Sequence, residues 1–323
     1  MPLFLEWGYM KELIELIKSA KSVIILPHIS ADGDAVASCQ AMRCALKQLG
    51  IKSVILAEEE VEPRLEFISD EVKVFDEAMQ EHDTVIVLDC GDIERIGKRA
   101  VLIDTNKPII NIDHHRTNTR FGTANFVIDT ASATGEVLFL LFSEMGIEIT
   151  DEIAGYLYTA ICSDTGSFAY SNVSPKTLTI AAELISHNIN HAEIARLLFD
   201  CVDIETELLK AELTKNIHSY YDGKVRTVAV SKEFAAQFDM EPEDVQGLVD
   251  IPRRIRGTEI AVALKELDGK IRVSLRSNGD ADVSEVALKF GGGGHIKASG
   301  CGIKDTDIDT AEKLIVEACG ETI

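Results

Sequence analysis

Short, unbroken apolar runs alternate with longer mixed segments through the first half of the chain. SVIIL at 22–26, SVILA at 53–57, TVIVL at 84–88 and PIINI at 108–112 are apolar on both faces, as strands buried in a parallel sheet are. Between and after them, 35–49, 132–146 and 150–163 have helical spacing, the first closed by Gly50. This alternation predicts an α/β fold with a doubly wound, mostly parallel sheet. No Gly or Pro falls between Lys176 and Tyr220, which predicts continuous helix over 175–220. From 224 the period changes to two. KVRTVAV, TEIAVALKEL and KIRVSLRS alternate as half-buried strands, with turn residues at 222–223 and 268–270. A glycine run, GGGGH at 291–295, precedes a closing helix over about 307–319. The predicted organisation is a catalytic domain over 1–190, a helical connector over 191–222 and a smaller α+β domain over 223–323.

Length and composition fit that division. The chain has 323 residues, 46% hydrophobic, enough for more than one core. No apolar run approaches the roughly 20 residues needed to span a bilayer, so no membrane association is expected. The opening MPLFLEWGYMKELIELIKSA lacks a basic leader and has charges breaking its apolar stretch, unlike a signal peptide. Seven cysteines with no C-x-x-C pair read as reduced thiols, and a cytoplasmic location is expected. The net charge of −22 disfavours long duplex DNA as a partner and leaves small phosphorylated ligands open.

Candidate chemistry lies where the strands end. His28, Asp32 and Asp34 follow the first strand, Asp89 ends the third, and Asp113, His114 and His115 follow the fourth. The carboxyl edge of an open parallel sheet is where ligands bind. Any one of these aspartates alone reads as a helix cap or turn residue. Together they are four carboxylates that repel one another unless protons or cations intervene. Two divalent ions would balance them. Mixed His and Asp donors suit Mn²⁺ or a similar ion better than Ca²⁺, and the lack of thiolates disfavours structural zinc.

The motifs HISADGDAVAS at 28–38, LDCGD at 88–92, DHH at 113–115 and SDTGSF at 163–168 resemble those of the DHH phosphoesterase superfamily. VSLRSN at 273–278 and FGGGGHIKASG at 290–300 resemble its associated C-terminal domain. The likeness covers nearly the whole chain and points to the two-domain nanoRNase/pAp phosphatase type. It implies that His28, Asp32 and Asp89 hold one metal and that Asp34, Asp89, His114 and Asp164 hold the other. Asp164 is placed by the resemblance alone. His115 is implied to contact the scissile phosphate or assist the leaving group, and Asp113 to orient the histidines. Arg276 and His295 are implied to bind a nucleotide phosphate, with Gly293 and Gly294 beside them. Strand alternation puts Ser274 on the face of Arg272 and Arg276. Ala31 stands where relatives often have Pro, which alters loop stiffness and removes no ligand.

Residues 251–300 hold nine Lys or Arg against six Asp or Glu, a basic region in an acidic chain. The implied activity is hydrolysis of short oligonucleotides such as 5′-pApA to mononucleotides, with 3′-phosphoadenosine 5′-phosphate to AMP as a second reaction. Two Mn²⁺ ions are implied, with Mg²⁺ or Co²⁺ as substitutes, and an active site in a cleft between the domains. A cyclic-dinucleotide phosphodiesterase, a RecJ-like single-strand exonuclease and a non-catalytic nucleotide-binding module are the alternatives. A family II pyrophosphatase is disfavoured, because its Ser-Arg-Lys-Lys-type signature is missing. A homodimer is left open.

Overall fold

The computed structural model describes residues 3–76, 81–245 and 247–323. The chain divides into two compact units, Met1–Cys201 and Val202–Ile323.

Among the described residues, unit 1 is built on six strands: β1 (Ser22–Leu26), β2 (Lys52–Ala57), β3 (Val72–Val74), β4 (Thr84–Leu88), β5 (Ile109–Asp113) and β6 (Ala124–Val127). Their order is β3-β2-β1-β4-β5-β6, and every neighbouring pair is parallel. The order reverses between β1 and β4, so the sheet has a topological switch point there. Helices α1 (Leu3–Ser19), α2 (Gly33–Gln48), α3 (Thr134–Met145) and α4 (Asp151–Asp164), followed by α5 (Pro175–Ile185) and α6 (His191–Phe199), complete the unit.

The apolar runs are buried on both sides because alternate residues serve separate cores. Val23, Ile25, Ile86, Leu88, Ile110 and Ile112 face the helices. Ile24, Leu26, Val85, Val87 and Ile109 face a second, smaller core closed by a 3-10 stretch over Ile93–Leu102. Burying each such side chain is worth about 1.5–3 kcal/mol. A Cβ on Gly135 of α3 would lie 2.5 Å from the Ala160 Cβ of α4, so glycine there allows the two helices to close up.

Unit 2 contains α7 (Ile204–Lys215), β7 (His218–Tyr220), β8 (Val225–Val230), α8 (Lys232–Ala235), α9 (Asp250–Arg253), β9 (Ile260–Leu267), β10 (Lys270–Ser277), α10 (Val283–Lys289), β11 (Gly293–His295), β12 (Ala298–Lys304) and α11 (Ile308–Gly320). Its sheet runs β11-β12-β10-β9-β8-β7, antiparallel except for the parallel pair β8–β9. One face packs on α10 and α11 through Ile260, Val262, Leu264, Val273 and Leu275. The other packs on α7 and the short helices through Val228, Val230, Ala261 and Ala263.

The expected continuous helix over 175–220 is a correction. The stretch divides into α5, α6 and α7 and ends in a strand, β7. Asn190 caps the start of α6, accepting the Glu193 N–H. His218 and Tyr220 lie on one side of β7 because both reach Glu312, a buried carboxylate on α11. A tertiary acceptor thus overrides local helix preference. The glycine run also holds a short strand, β11, which pairs with β12.

Candidate metal centre

The loop after β1 carries His28 and Asp32. Asp32 is a helix cap as well as a candidate ligand: its Oδ1 accepts the N–H groups of Asp34 and Ala35, both at 3.1 Å, at the start of α2. Asp34 is fully buried in the first turn of that helix. Its carboxylate accepts the Thr134 N–H at 2.7 Å, the Gly135 N–H at 3.1 Å and the Ser38 hydroxyl at 3.0 Å. The positive end of α3 therefore faces this anion. Asp89 follows β4 with a φ of 55°. A non-glycine residue in that region is strained, and such strain gathers at functional sites. The Thr134 hydroxyl donates to Asp89 Oδ1 at 2.9 Å.

Among the described residues, three groups of donor atoms lie within 4.8 Å of one another: His28, Asp32 and Asp89; Asp34, His114 and Asp164; and Asp89, His114 and His115. Asp89 stands between the first and the last. His28 Nε2 is 3.9 Å from Asp32 and 3.7 Å from Asp89. His114 Nε2 is 3.8 Å from Asp34, 3.5 Å from Asp89 and 3.5 Å from Asp164. These separations are too long for hydrogen bonds. Donors sharing an ion at about 2.0–2.2 Å lie roughly 3–3.5 Å apart, so a modest contraction would fit the cluster to cations.

The ring nitrogens agree with that use. His28 Nδ1 is 2.6 Å from the Ile29 carbonyl and His114 Nδ1 is 3.3 Å from the Ala131 carbonyl. A carbonyl only accepts, so both Nδ1 atoms act as donors there, and both Nε2 atoms are the ones that face the carboxylates. His115 Nδ1 lies 2.7 Å from Asp113 Oδ1, and Asn118 donates to the other Asp113 oxygen at 2.5 Å.

Crowded charge perturbs these groups. Burial, then the charges of Asp89, Asp164 and Asp32, push Asp34 well above the usual carboxylate range. Burial, with Asp32 and Asp89, pushes Asp164 up to about 7 against the opposing charge of His114. Burial works against a charged His115, but the hydrogen bond to Asp113 and the charge of Asp89 outweigh it and raise its pKa to about 9. In the metal-free protein this favours the charged form of His115 at neutral pH.

Asp164 is the last residue of α4, and Thr165 caps that helix. Gly166 follows with a φ of 55° and would meet the Tyr170 ring if it carried a Cβ. Asn172 donates to the carbonyls of Asp164 and Ser132 at 3.1 and 3.0 Å, tying the helix end to the segment before α3. Thr134, Gly135 and Asn172 were not foreseen from the sequence. A threonine at a helix start reads as a cap, and only tertiary packing shows which carboxylate it serves.

In unit 2, cross-strand pairing aligns Arg276 with Ala298 and His295 on one face, and Ser274 with Gly300 and Gly293 beside them. Arg272 pairs with Gly302 on the same face. Side chains on one strand alternate with bare glycines on the next, leaving an open groove of about 480 Å³ lined by Arg272, Ser274, Arg276 and Gly293. Gly294 has a φ of 141°, and a Cβ there would be 2.6 Å from the Ala298 carbonyl oxygen. It shapes the β11–β12 hairpin and is not among the groove's lining residues.

Among the described residues no helix is long and apolar enough to cross a membrane. Residues 22–161 match the DHH family, N-terminal domain, and residues 224–321 match the DHHA1 domain. The chain is 32% identical to the bifunctional oligoribonuclease and PAP phosphatase NrnA of Thermus thermophilus, over 98% of this chain and 95% of that protein. Its fold is similar to that of an exopolyphosphatase-related protein from Bacteroides fragilis, with a TM-score of 0.91 and 25% identity over 98% of this chain and 96% of that one. RecJ of Thermus thermophilus, solved in complex with Mn²⁺, shares the fold at a TM-score of 0.57 and 13% identity, over 99% of this chain and 55% of RecJ.

Proposed function

Because the chain belongs to the DHH family and carries a DHHA1 domain, we propose that it is a two-metal phosphoesterase that hydrolyses short oligonucleotides, with 3′-phosphoadenosine 5′-phosphate as a second substrate. The observation that carries this reading is the overlap of donor groups through Asp89 at the switch point of a parallel sheet. The NrnA relative, by its name an oligoribonuclease and PAP phosphatase, supports the substrate class.

In this reading His28, Asp32 and Asp89 hold one ion, and Asp34, Asp89, His114 and Asp164 hold the other. Mn²⁺ suits the mixed imidazole and carboxylate set, and Mg²⁺ or Co²⁺ could substitute. Two such cations supply Lewis acidity, making hydroxide available near neutral pH and offsetting charge on the phosphoryl group. The protein's own groups do the rest. His28 and His114 keep their lone pairs aimed inward through their Nδ1–H contacts. His115, protonated and held by Asp113, presents Nε2–H to the leaving oxygen and can give it a proton. Thr134 fixes the Asp89 carboxylate. In unit 2, Arg276, Ser274 and His295 offer donors to a phosphate, and Gly293 lets a ligand come close to backbone.

A substrate panel with Mn²⁺ tests this: a 5′-phosphorylated dinucleotide, 3′-phosphoadenosine 5′-phosphate, a cyclic dinucleotide and a long single strand. The reading expects the dinucleotide to be cut fastest and chelation to stop turnover. Preference for the long strand or the cyclic dinucleotide would replace it with one of those activities.

A further inference from the structure

Arg95 lies in the 3-10 stretch over Ile93–Leu102, six residues after Asp89. Its carbonyl accepts the Ile29 N–H at 2.8 Å, so its backbone is one hydrogen bond from the loop that carries His28. Its own N–H donates to the Asp92 carbonyl at 3.1 Å. The side chain is half-buried. Its charge is felt at His28, His115 and the Cys90 thiol, which lie at the ends of β1, β5 and β4.

The guanidinium nevertheless makes no hydrogen bond or ion pair with any described residue. Guanidinium has five donors and does not give up its charge. It pairs with none of the aspartates of the centre. A centre that holds two divalent cations would also repel a third positive group. Leaving a half-buried cation unpaired beside such a centre is unfavourable unless an anion completes it. A phosphodiester has two non-bridging oxygens, and the guanidinium fork matches that geometry.

We propose that Arg95 is a catalytic residue that binds the non-bridging oxygens of the scissile phosphate and offsets the charge developing on them. This rests on the phosphoesterase reading given above. In the step, a water oxygen bonds to phosphorus as the bond from phosphorus to the leaving oxygen breaks. The water's proton passes to solvent, the leaving oxygen takes the proton of His115, and Arg95 keeps its own throughout. Arg95 belongs to unit 1 and acts on the phosphate being cut, whereas Arg276 and its neighbours in unit 2 serve recognition.

The test compares full-length wild type, Arg95→Gln and Arg95→Lys, each loaded with Mn²⁺. Turnover of a 5′-phosphorylated dinucleotide and Mn²⁺ affinity are both measured. Loss of one donor to a developing oxyanion costs about a hundredfold or more in kcat, and that loss is expected for Arg95→Gln. Its Mn²⁺ affinity should be unchanged or higher, because a repelling cation has gone. Arg95→Lys restores charge without the fork and should recover only part of the rate. The proposal is overturned if Arg95→Gln stays within about threefold of wild-type kcat, or if Mn²⁺ binding weakens as much as turnover does. An inactive wild type would refute the phosphoesterase reading and this inference together. An active wild type with an unaffected Arg95→Gln refutes this inference alone.

Discussion

Replacing Thr134 by valine keeps the side chain's shape and removes one hydroxyl. That hydroxyl is 2.9 Å from Asp89 Oδ1 and is the one hydrogen-bond donor to the Asp89 carboxylate among the described residues. Both side chains are buried, with Thr134 at 0% and Asp89 at 2% exposure, so water cannot stand in for the donor. A hydrogen bond to a charged group is worth about 1.5–3 kcal/mol. If that energy fixes the carboxylate that two ions share, its loss weakens Mn²⁺ binding by roughly 10- to 150-fold, at about 1.4 kcal/mol per decade. Loss of a group orienting a ligand typically costs a similar 10- to 100-fold. Titration of chelator-treated protein with Mn²⁺ reads the affinity directly. Thr134→Ser retains a hydroxyl and should bind within a few-fold of wild type. Melting curves in chelator report the separate cost to folding, about 3–12 °C for a unit of this size. Mn²⁺ binding by Thr134→Val within twofold of wild type would refute the reasoning, as would equal losses in the serine and valine variants.

The other expectations follow from neighbouring contacts. A Cβ at Gly33 would lie 2.4 Å from Ser163 Oγ and 2.8 Å from Ser163 Cβ, next to Asp164. Gly33→Ala should therefore cost about 1–3 kcal/mol in stability and selectively weaken the second Mn²⁺ equivalent. A normal melting temperature with two intact equivalents would count against that contact. In metal-free protein the folded state holds protons more tightly than the unfolded chain at Asp34 and Asp164, and at His115. Stability from these groups is present at low pH and is lost as pH rises, through about 4 to 7 for Asp164 and then to about 9 for His115. Melting in chelator should thus fall between pH 5 and 9, and saturating Mn²⁺ should flatten the trend, since cations replace the protons. A rise over that range would contradict the assignment. Arg276→Ala should raise KM about tenfold or more for a dinucleotide while leaving Mn²⁺ affinity unchanged, measured by steady-state kinetics and metal titration. An unchanged KM would remove Arg276 from substrate binding.

Much of this site could be read from the chain because it is built on strand ends. A run such as TVIVL can only be buried on both faces, and the polar residue that follows must emerge at the sheet's carboxyl edge. That places His28, Asp89 and His114 without knowledge of the fold's details. Asp164 escapes this logic because it ends a helix, and nothing local distinguishes it from a cap. Thr134 and Asn172 escape it because their partners are distant in sequence. Asp32 shows that the plain and the functional readings can both hold, since it caps α2 and faces His28 at once. In unit 2, β11 and β12 were hidden by glycine, whose lack of a side chain erases the alternation that marks a strand. The end of 175–220 was misjudged because β7 is held by Glu312, almost a hundred residues away.

The claim on which the rest depends is that Asp89 joins two ions. Mn²⁺ titration followed by electron paramagnetic resonance, on wild type and Asp89→Asn, tests it most directly. Ions bridged by one carboxylate and about 3.5–4 Å apart are magnetically coupled. The account predicts two Mn²⁺ per wild-type chain with a coupled spectrum, and loss of the coupling together with hydrolysis in Asp89→Asn. A single uncoupled Mn²⁺ in an active wild-type enzyme would contradict it.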